Sequence, residues 1–158
     1  MPLNPEDYTL PKKYSSPLVG LHFNSTSCPR MNVPYEFAHK LWNQIIESDL
    51  IPIDLHMRHK NDNSRSVVYD FEQCRKIDNI SATTPKLIGM LSACCGFAGV
   101  PSGNMPCALS IFPPEKILYI TSEFPAKRLT RLPVHEINWK NGYDKKIIQD
   151  WIECLKNE

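Results

Sequence analysis

Hydrophobic residues recur at helical spacing in two separated parts of the chain. Between residues 34 and 48 they fall at positions i, i+1, i+4, i+5, i+8 and i+9 counted from Phe37, which is one face of a helix. Between residues 143 and 156 a second apolar stripe includes Ile147 and Trp151. Both patterns predict amphipathic helices that pack one face against a core.

Alternating and continuous apolar runs predict the strands. Residues 50–58 alternate between apolar and polar side chains, and residues 67–71 follow after a polar turn, so together they predict a hairpin. Ile117–Thr121 is apolar at consecutive positions, which is typical of a strand buried on both faces. Residues 134–139 supply one further candidate strand.

The most apolar part of the sequence lies between Thr83 and Glu123. Its first portion, residues 85–98, predicts a helix that is apolar nearly all round and therefore buried. Residues 99–106 are interpreted as a loop, and Cys107–Phe112 with the strand after it predicts a second hairpin. The glycines of this region would then follow a helix, and they would lack the strand–loop–helix setting in which glycines surround a phosphate.

The N-terminal region is rich in proline. Six of the 14 prolines lie between residues 2 and 34, and proline interrupts helices because its ring clashes and it has no N–H. Residues 1–33 therefore predict an extended arm, with a short strand near residues 18–23, and residues 34–158 predict a single domain. The predicted fold class is α+β or α/β, with one mixed sheet of about four to five strands and three main helices packed on it.

Charge and the pattern of apolar runs exclude several classes of protein. The net charge of +1 argues against strong binding to nucleic acid, because nucleic-acid-binding domains usually carry a basic excess. No apolar run is long enough to span a bilayer, so no membrane is expected. The sequence begins without the basic and apolar regions of a signal peptide, so we expect an intracellular location, cytoplasmic or nuclear, where thiols stay reduced.

Six cysteines and five histidines offer candidate chemistry, but no spacing selects a site. No C-x-x-C pair occurs, and free cysteines are often small core residues. A thiolate beside a histidine, or a zinc site, is the other interpretation. No cofactor and no metal site is predicted. The candidate catalytic residues are Cys94, Cys95, Cys107, His56 and His135.

Known catalytic motifs are incomplete in this sequence. His135-Glu136 begins like H-E-x-x-H, but Trp139 stands where the second histidine is required. Residues 118–125 resemble the strand and turn of the zinc nucleobase deaminases. That family carries H-x-E and P-C-x-x-C at places held here by residues 83–85 and 125–128, so its zinc ligands are absent from the sequence.

The failure of these motifs favours a non-enzymatic function, a protein-binding or scaffold subunit of a larger assembly. Its partner would be another protein chain or a second copy of this chain, because apolar residues in an extended arm need a surface to cover them. A thiol- or zinc-dependent enzyme is the alternative, and a weak nucleic-acid-binding module is the second. The residues predicted to contact a partner are Leu10, Tyr14, Leu18, Phe23, Met90, Phe97, Lys127, Arg128 and Arg131.

Overall fold

The computed structural model describes residues 17–25, 28–55 and 84–157, with side chains described from residue 87 onward in the last range. These ranges contain five strands and four α-helices, joined in places by single turns of 3₁₀ helix. In chain order the elements are β1 (Leu18–His22), α1 (Tyr35–Glu47), β2 (Ile51–Asp54), α2 (Thr84–Ser92), β3 (Cys94–Gly99), α3 (Asn104–Ile111), β4 (Ile117–Thr121), β5 (His135–Asn138) and α4 (Lys145–Lys156).

The five strands form one sheet in the order β2-β1-β3-β4-β5, and each of the four pairings is parallel. The predicted fold class, one sheet of four to five strands with helices packed on it, is confirmed, as an α/β architecture. The parallel arrangement has a sequence basis, because β1 and β4 are buried at every position. Strands of parallel sheets are covered on both faces and are therefore apolar almost throughout.

Helices cover both faces of the sheet. On one face, Val19 and Leu21 of β1 belong to a core that also contains the apolar sides of α1 and α4. On the other face, Phe97 of β3 and Tyr119 of β4 belong to a core with α2 and α3. The structure is thus three layers deep, with α1 and α4 below one face and α2 and α3 above the other.

The two helices predicted from their apolar stripes are confirmed as α1 and α4. In α1 the buried residues include Phe37 and Trp42, and in α4 they include Trp151, as the stripes require. The N-terminus of α4 is capped by Asp144, whose carboxylate accepts hydrogen bonds from the backbone N–H groups of Lys146 and Ile147 at 3.0 and 3.3 Å. Their amphipathic patterns were therefore sufficient to locate both helices.

Two predictions in the most apolar stretch are wrong. The helix predicted through residue 98 ends at Ser92, and Cys94–Gly99 is the central strand β3. Cys107–Phe112 was predicted as a strand, but α3 occupies Asn104–Ile111. A short apolar run does not distinguish a buried strand from a buried helix by its periodicity. Since parallel neighbours need a crossover connection, the helix between β3 and β4 follows from their parallel pairing, and the predicted second hairpin does not form.

The predicted N-terminal strand is confirmed as β1, and it lies inside the sheet between β2 and β3. The sheet therefore includes residues from the range 1–33, while residues 1–16 lie outside the described residues. Of the predicted hairpin at 50–71, β2 is present and pairs in parallel with β1. The rest of that hairpin, from residue 56 onward, also lies outside the described residues.

Candidate functional site

The order of the sheet reverses direction between β1 and β3. From β1 the chain moves to the neighbouring edge strand β2, and it then returns to the other side of β1 as β3. The helices that follow β1 and β3 consequently pack on opposite faces, and the loops that precede them diverge. In open α/β sheets, ligands bind at such a switch point, in the crevice beyond the carboxyl ends of the strands.

A histidine and a serine meet at this switch point. His22 is the last residue of β1, and its Nδ1 lies 2.9 Å from the Oγ of Ser102, which follows β3. The backbone N–H of Val100 donates to the carbonyl of His22 at 3.0 Å and extends the pairing of the two strands. The pair is therefore held by the ends of two central strands, which gives it a rigid support.

The N-terminus of α3 lies beside this pair. Gly103 precedes the helix with φ −55° and ψ −25°, and no side chain caps the helix there. A Cβ atom built on Gly103 would meet no atom within 4 Å, so the helix terminus faces open space. Residues 99–103 thus connect a strand to a helix, and the expectation that these glycines lack the phosphate-binding setting is wrong.

Two buried polar groups at this edge have no hydrogen-bond partner among the residues that the structure describes. They are the side-chain Nδ2 of Asn104, the first residue of α3, and the Oγ of Ser122, which follows β4. Both residues are only 7% exposed. Leaving a buried donor without an acceptor costs about 1–3 kcal/mol, so such groups in a folded protein need an explanation.

The pairing of β3 with β4 shows where Ser102 and Ser122 lie relative to the ends of these strands. Gly99 of β3 pairs with Tyr119 of β4, so Ser102 and Ser122 each lie three residues beyond paired positions. Neighbouring strands are about 4.8 Å apart. Ser102, Asn104 and Ser122 therefore all lie beyond the carboxyl ends of two adjacent strands.

Charged side chains lie beyond the carboxyl ends of β1, β4 and β5. Arg30 follows β1 and Glu123 follows β4, and the Arg30 Nε lies 3.0 Å from a carboxylate oxygen of Glu123. Lys140, which follows β5, approaches the other oxygen of Glu123 at 3.5 Å. The Arg30–Glu123 ion pair thus joins the segment after β1 to the segment after β4, the two strands that flank β3. Asp54, the last residue of β2, pairs with Leu21 of β1 at the same end of the sheet, so carboxylates as well as cations border the site.

This edge combines hydrogen-bond donors, a hydroxyl next to an imidazole and open space at a helix terminus. Such an arrangement can bind a polar ligand, and Ser102 with His22 could transfer a proton to it or from it. In the part of the chain that is described, no group of three or more His, Cys, Asp or Glu residues is placed to hold a metal ion.

The candidate cysteines lie away from the switch point or inside the core. Cys94, the first residue of β3, donates to the carbonyl of Met90 at 3.3 Å, and burial raises the pKa of its thiol to about 12. Burial also raises the pKa of the half-buried Cys95. Both thiols are thus kept protonated at neutral pH. Cys107 is half-buried on α3, and His56 lies outside the described residues.

A different cysteine contacts a predicted histidine. The Nε2 of His135, at the start of β5, lies 3.6 Å from the Sγ of Cys154 in the last turns of α4. Both residues are half-buried. The pair lies at the amino end of β5, at the opposite edge of the sheet from the switch point. No short spacing in the sequence indicates this contact, because the packing of α4 on β5 creates it.

The residues predicted to contact a partner fall into three groups. Leu10 and Tyr14 lie outside the described residues, while Lys127, Arg128 and Arg131 are exposed in the loop between β4 and β5. The same loop exposes two leucines, at 43% for Leu129 and 46% for Leu132. The others are buried in the domain's own core, namely Leu18, Phe23, Met90 and Phe97.

Sequence reasoning missed the residues of the switch point. His22, Ser102, Asn104 and Ser122 lie at or after the ends of three separate strands and share no motif. The loop after residue 99 could have been recognised only if Cys94–Gly99 had been assigned as a strand, because the strand–loop–helix setting depends on that assignment.

Within the described ranges, no helix combines the length and apolar character needed to cross a bilayer. Comparisons with protein-family models, with curated proteins and with solved structures found no match.

Proposed function

We propose that this chain is a small-molecule-binding domain whose ligand lies beyond the carboxyl ends of β1, β3 and β4. The observation that carries the proposal is a pair of buried donors without a partner among the described residues, on Asn104, which follows β3 at the switch point, and on Ser122, which follows the neighbouring β4. A bound ligand would supply the acceptors that the protein lacks there.

The surrounding groups support a polar ligand. The Ser102 hydroxyl and the His22 imidazole are within hydrogen-bonding distance at 2.9 Å, and they present a donor and an acceptor close to the helix terminus. Open space next to Gly103 allows a ligand to approach the backbone. If the site is catalytic, Ser102 and His22 are the residues that would move a proton at the ligand.

Amide NMR of the full chain, titrated with a library of polar metabolites in small mixtures, tests this proposal. We expect chemical-shift changes at His22, at residues 102–104 and at Ser122, and we expect Ser102→Ala to weaken them. Ser110→Ala is the matched control, because Ser110 is exposed on α3 and donates only to the Cys107 carbonyl at 2.8 Å. Shift changes that cluster elsewhere on the sheet would contradict the proposal.

A protein-binding function is the second candidate, and the exposed loop between β4 and β5 favours it. Leu129 and Leu132 are exposed among three exposed cations, so the loop presents an apolar and basic surface. The partner would be an acidic face of another protein chain or of a second copy of this chain. Intracellular location, cytoplasmic or nuclear, belongs to this proposal and is supported by the five free cysteines of the described ranges.

Affinity purification with intact chain and with a Leu129→Ser, Leu132→Ser variant tests this second candidate. A partner that the intact chain retains and the variant loses supports this second candidate. Lys146→Ser, at an exposed position of α4, serves as the control. Weak binding to nucleic acid through Lys127, Arg128 and Arg131 would instead show a steep dependence on salt concentration. Equal retention by all variants would argue against the loop as the binding surface.

The contact between Cys154 and His135 favours one form of a thiol-dependent activity. An imidazole close to a thiol can accept its proton and raise its nucleophilicity. We expect His135→Ala to slow alkylation of Cys154 by iodoacetamide, measured by mass spectrometry of the modified peptides. The rate at Cys107, which is half-buried on another helix, is the internal control. An unchanged rate at Cys154 would remove the support for this activity.

A further inference from the structure

We propose that the ligand of the switch-point site carries a phosphate or a similar oxyanion, held by the first turn of α3. This inference rests on the proposed function and names the chemical class of the group that the site binds. It draws on three separate observations, which are the free space at the helix terminus, the unpartnered donors and the cations at the mouth of the site.

The backbone at the start of α3 is arranged for an anion. The first N–H groups of a helix have no partner inside the helix, and the helix dipole places a partial positive charge at the same end. No side chain caps α3, and Gly103 carries no Cβ that would keep a ligand from the backbone. In the first turn the Met105 N–H donates to the Ser102 carbonyl at 3.0 Å and Pro106 has no N–H, so the N–H of Asn104 is the backbone donor that this turn leaves for an anion. The terminus is thus unblocked and electropositive.

The unpartnered side chains require an acceptor. The Nδ2 of Asn104 is a donor only, and it is buried without an acceptor at the first position of the helix. The Ser122 hydroxyl, also buried and unpartnered, can donate as well. A phosphate offers several acceptor oxygens to donors that converge from different directions, whereas a neutral carbonyl offers one. The two orphan donors and the helix terminus therefore match an oxyanion better than a neutral group.

The charges at the mouth are compatible with an anion. Glu123, one of the carboxylates at this edge, is paired with Arg30 at 3.0 Å and with Lys140 at 3.5 Å. The Arg30 side chain is 67% exposed, so it can turn from Glu123 to an arriving phosphate at little cost. An entering anion would then exchange one ion pair for another, with the guanidinium offering two parallel N–H donors.

Titration of the full chain with pyrophosphate, followed by amide NMR, tests the inference. We expect shifts at Gly103 and Asn104, including the side-chain amide of Asn104, and a loss of affinity of at least about tenfold in Gly103→Ala. Gly103 has φ −55°, a value that alanine adopts without strain, so this variant should remain folded. Ser110→Ala should bind pyrophosphate as the wild type does. Inorganic phosphate and a nucleoside diphosphate, run in parallel, distinguish a free oxyanion from a phosphorylated larger ligand.

The outcomes separate this inference from the proposed function. If neutral metabolites shift the switch-point amides and pyrophosphate does not, the phosphate inference is wrong and the ligand site stands. If pyrophosphate binds equally well to wild type and Gly103→Ala, the helix terminus is not the anion site, and the inference is again wrong. If neither class of compound shifts these amides, both proposals fail.

Discussion

Replacing Asn104 by leucine should stabilise the protein and weaken its response to pyrophosphate. Leucine has nearly the shape of asparagine, with two branches at Cγ, but it has no donor to leave unpaired. The Asn104 Nδ2 is buried without a partner, and such a donor costs about 1–3 kcal/mol. Asn104→Leu should therefore raise the free energy of unfolding by about 1–2 kcal/mol, equivalent to a rise in Tm of about 2–8 °C for a chain of this size.

Urea denaturation with and without pyrophosphate measures both effects. In the wild type, pyrophosphate at about ten times its Kd should add about 1.4 kcal/mol to the free energy of unfolding. The Asn104→Leu variant should be more stable than the wild type without pyrophosphate. Pyrophosphate should then add less than half of that increment to its free energy of unfolding. Ser110→Ala, changed at an exposed hydroxyl of the same helix, should stay within about 0.5 kcal/mol of the wild type and keep the full increment.

A destabilised Asn104→Leu variant would refute this reasoning. A loss of about 1 kcal/mol or more would show that the Asn104 amide makes a stabilising hydrogen bond in the folded protein, so that no acceptor is missing. A stabilised variant that still gains the full increment from pyrophosphate would show that the amide does not contact the anion. The two readouts thus test the unpaired donor and the ligand contact separately.

Three further changes test the packing and the electrostatics. Gly96→Ala should destabilise the protein by about 1–3 kcal/mol in urea denaturation, because its Cβ would lie 2.2 Å from Leu155 Cδ2 and 2.7 Å from a backbone oxygen, and an unchanged midpoint would contradict this. Burial raises the pKa of the Cys94 thiol from 9.0 to about 12 in the folded protein. The stability that the protonated thiol contributes is therefore fully present below pH 9 and is lost as the pH rises towards 12. The advantage of wild type over Cys94→Ala should therefore shrink by about 1.4 kcal/mol between pH 7 and pH 10, and a constant difference would disprove it. Glu123→Gln should tighten pyrophosphate binding about two- to fivefold in NMR titrations and change stability by less than about 1 kcal/mol, whereas weaker binding would show that Glu123 assists the anion.

Local pattern was enough to predict several elements of the fold. The stripes around Phe37 and Trp151 required helices with one buried face, and α1 and α4 bury those residues. The continuous apolar run Ile117–Thr121 indicated a strand covered on both sides, and β4 is buried throughout. These elements carry their own signal because periodicity and burial agree within a single segment.

The stretch from Cys94 to Phe112 was decided by tertiary structure. Its apolar residues fit a buried helix and a buried strand equally well. The elements that pack against this stretch decided between the two. β3 fits between β1 and β4 because Gly96 lets Leu155 and the Lys116 backbone approach, and α3 provides the crossover that parallel strands need. With β3 assigned as a strand, the loop after it connects a strand to a helix, which is the setting of the candidate site.

By itself, the sequence determined that this protein has one apolar sheet with amphipathic helices packed on it, and it left the choice between α+β and α/β open. Only the tertiary structure placed His22, Ser102, Asn104 and Ser122 at the same end of the sheet, because they lie at or after the ends of three different strands. The order in which the strands pair brings those loops to one edge, and pairing order depends on contacts between residues far apart in the chain. The candidate site is therefore a property of strand order, which no local pattern of residues encodes.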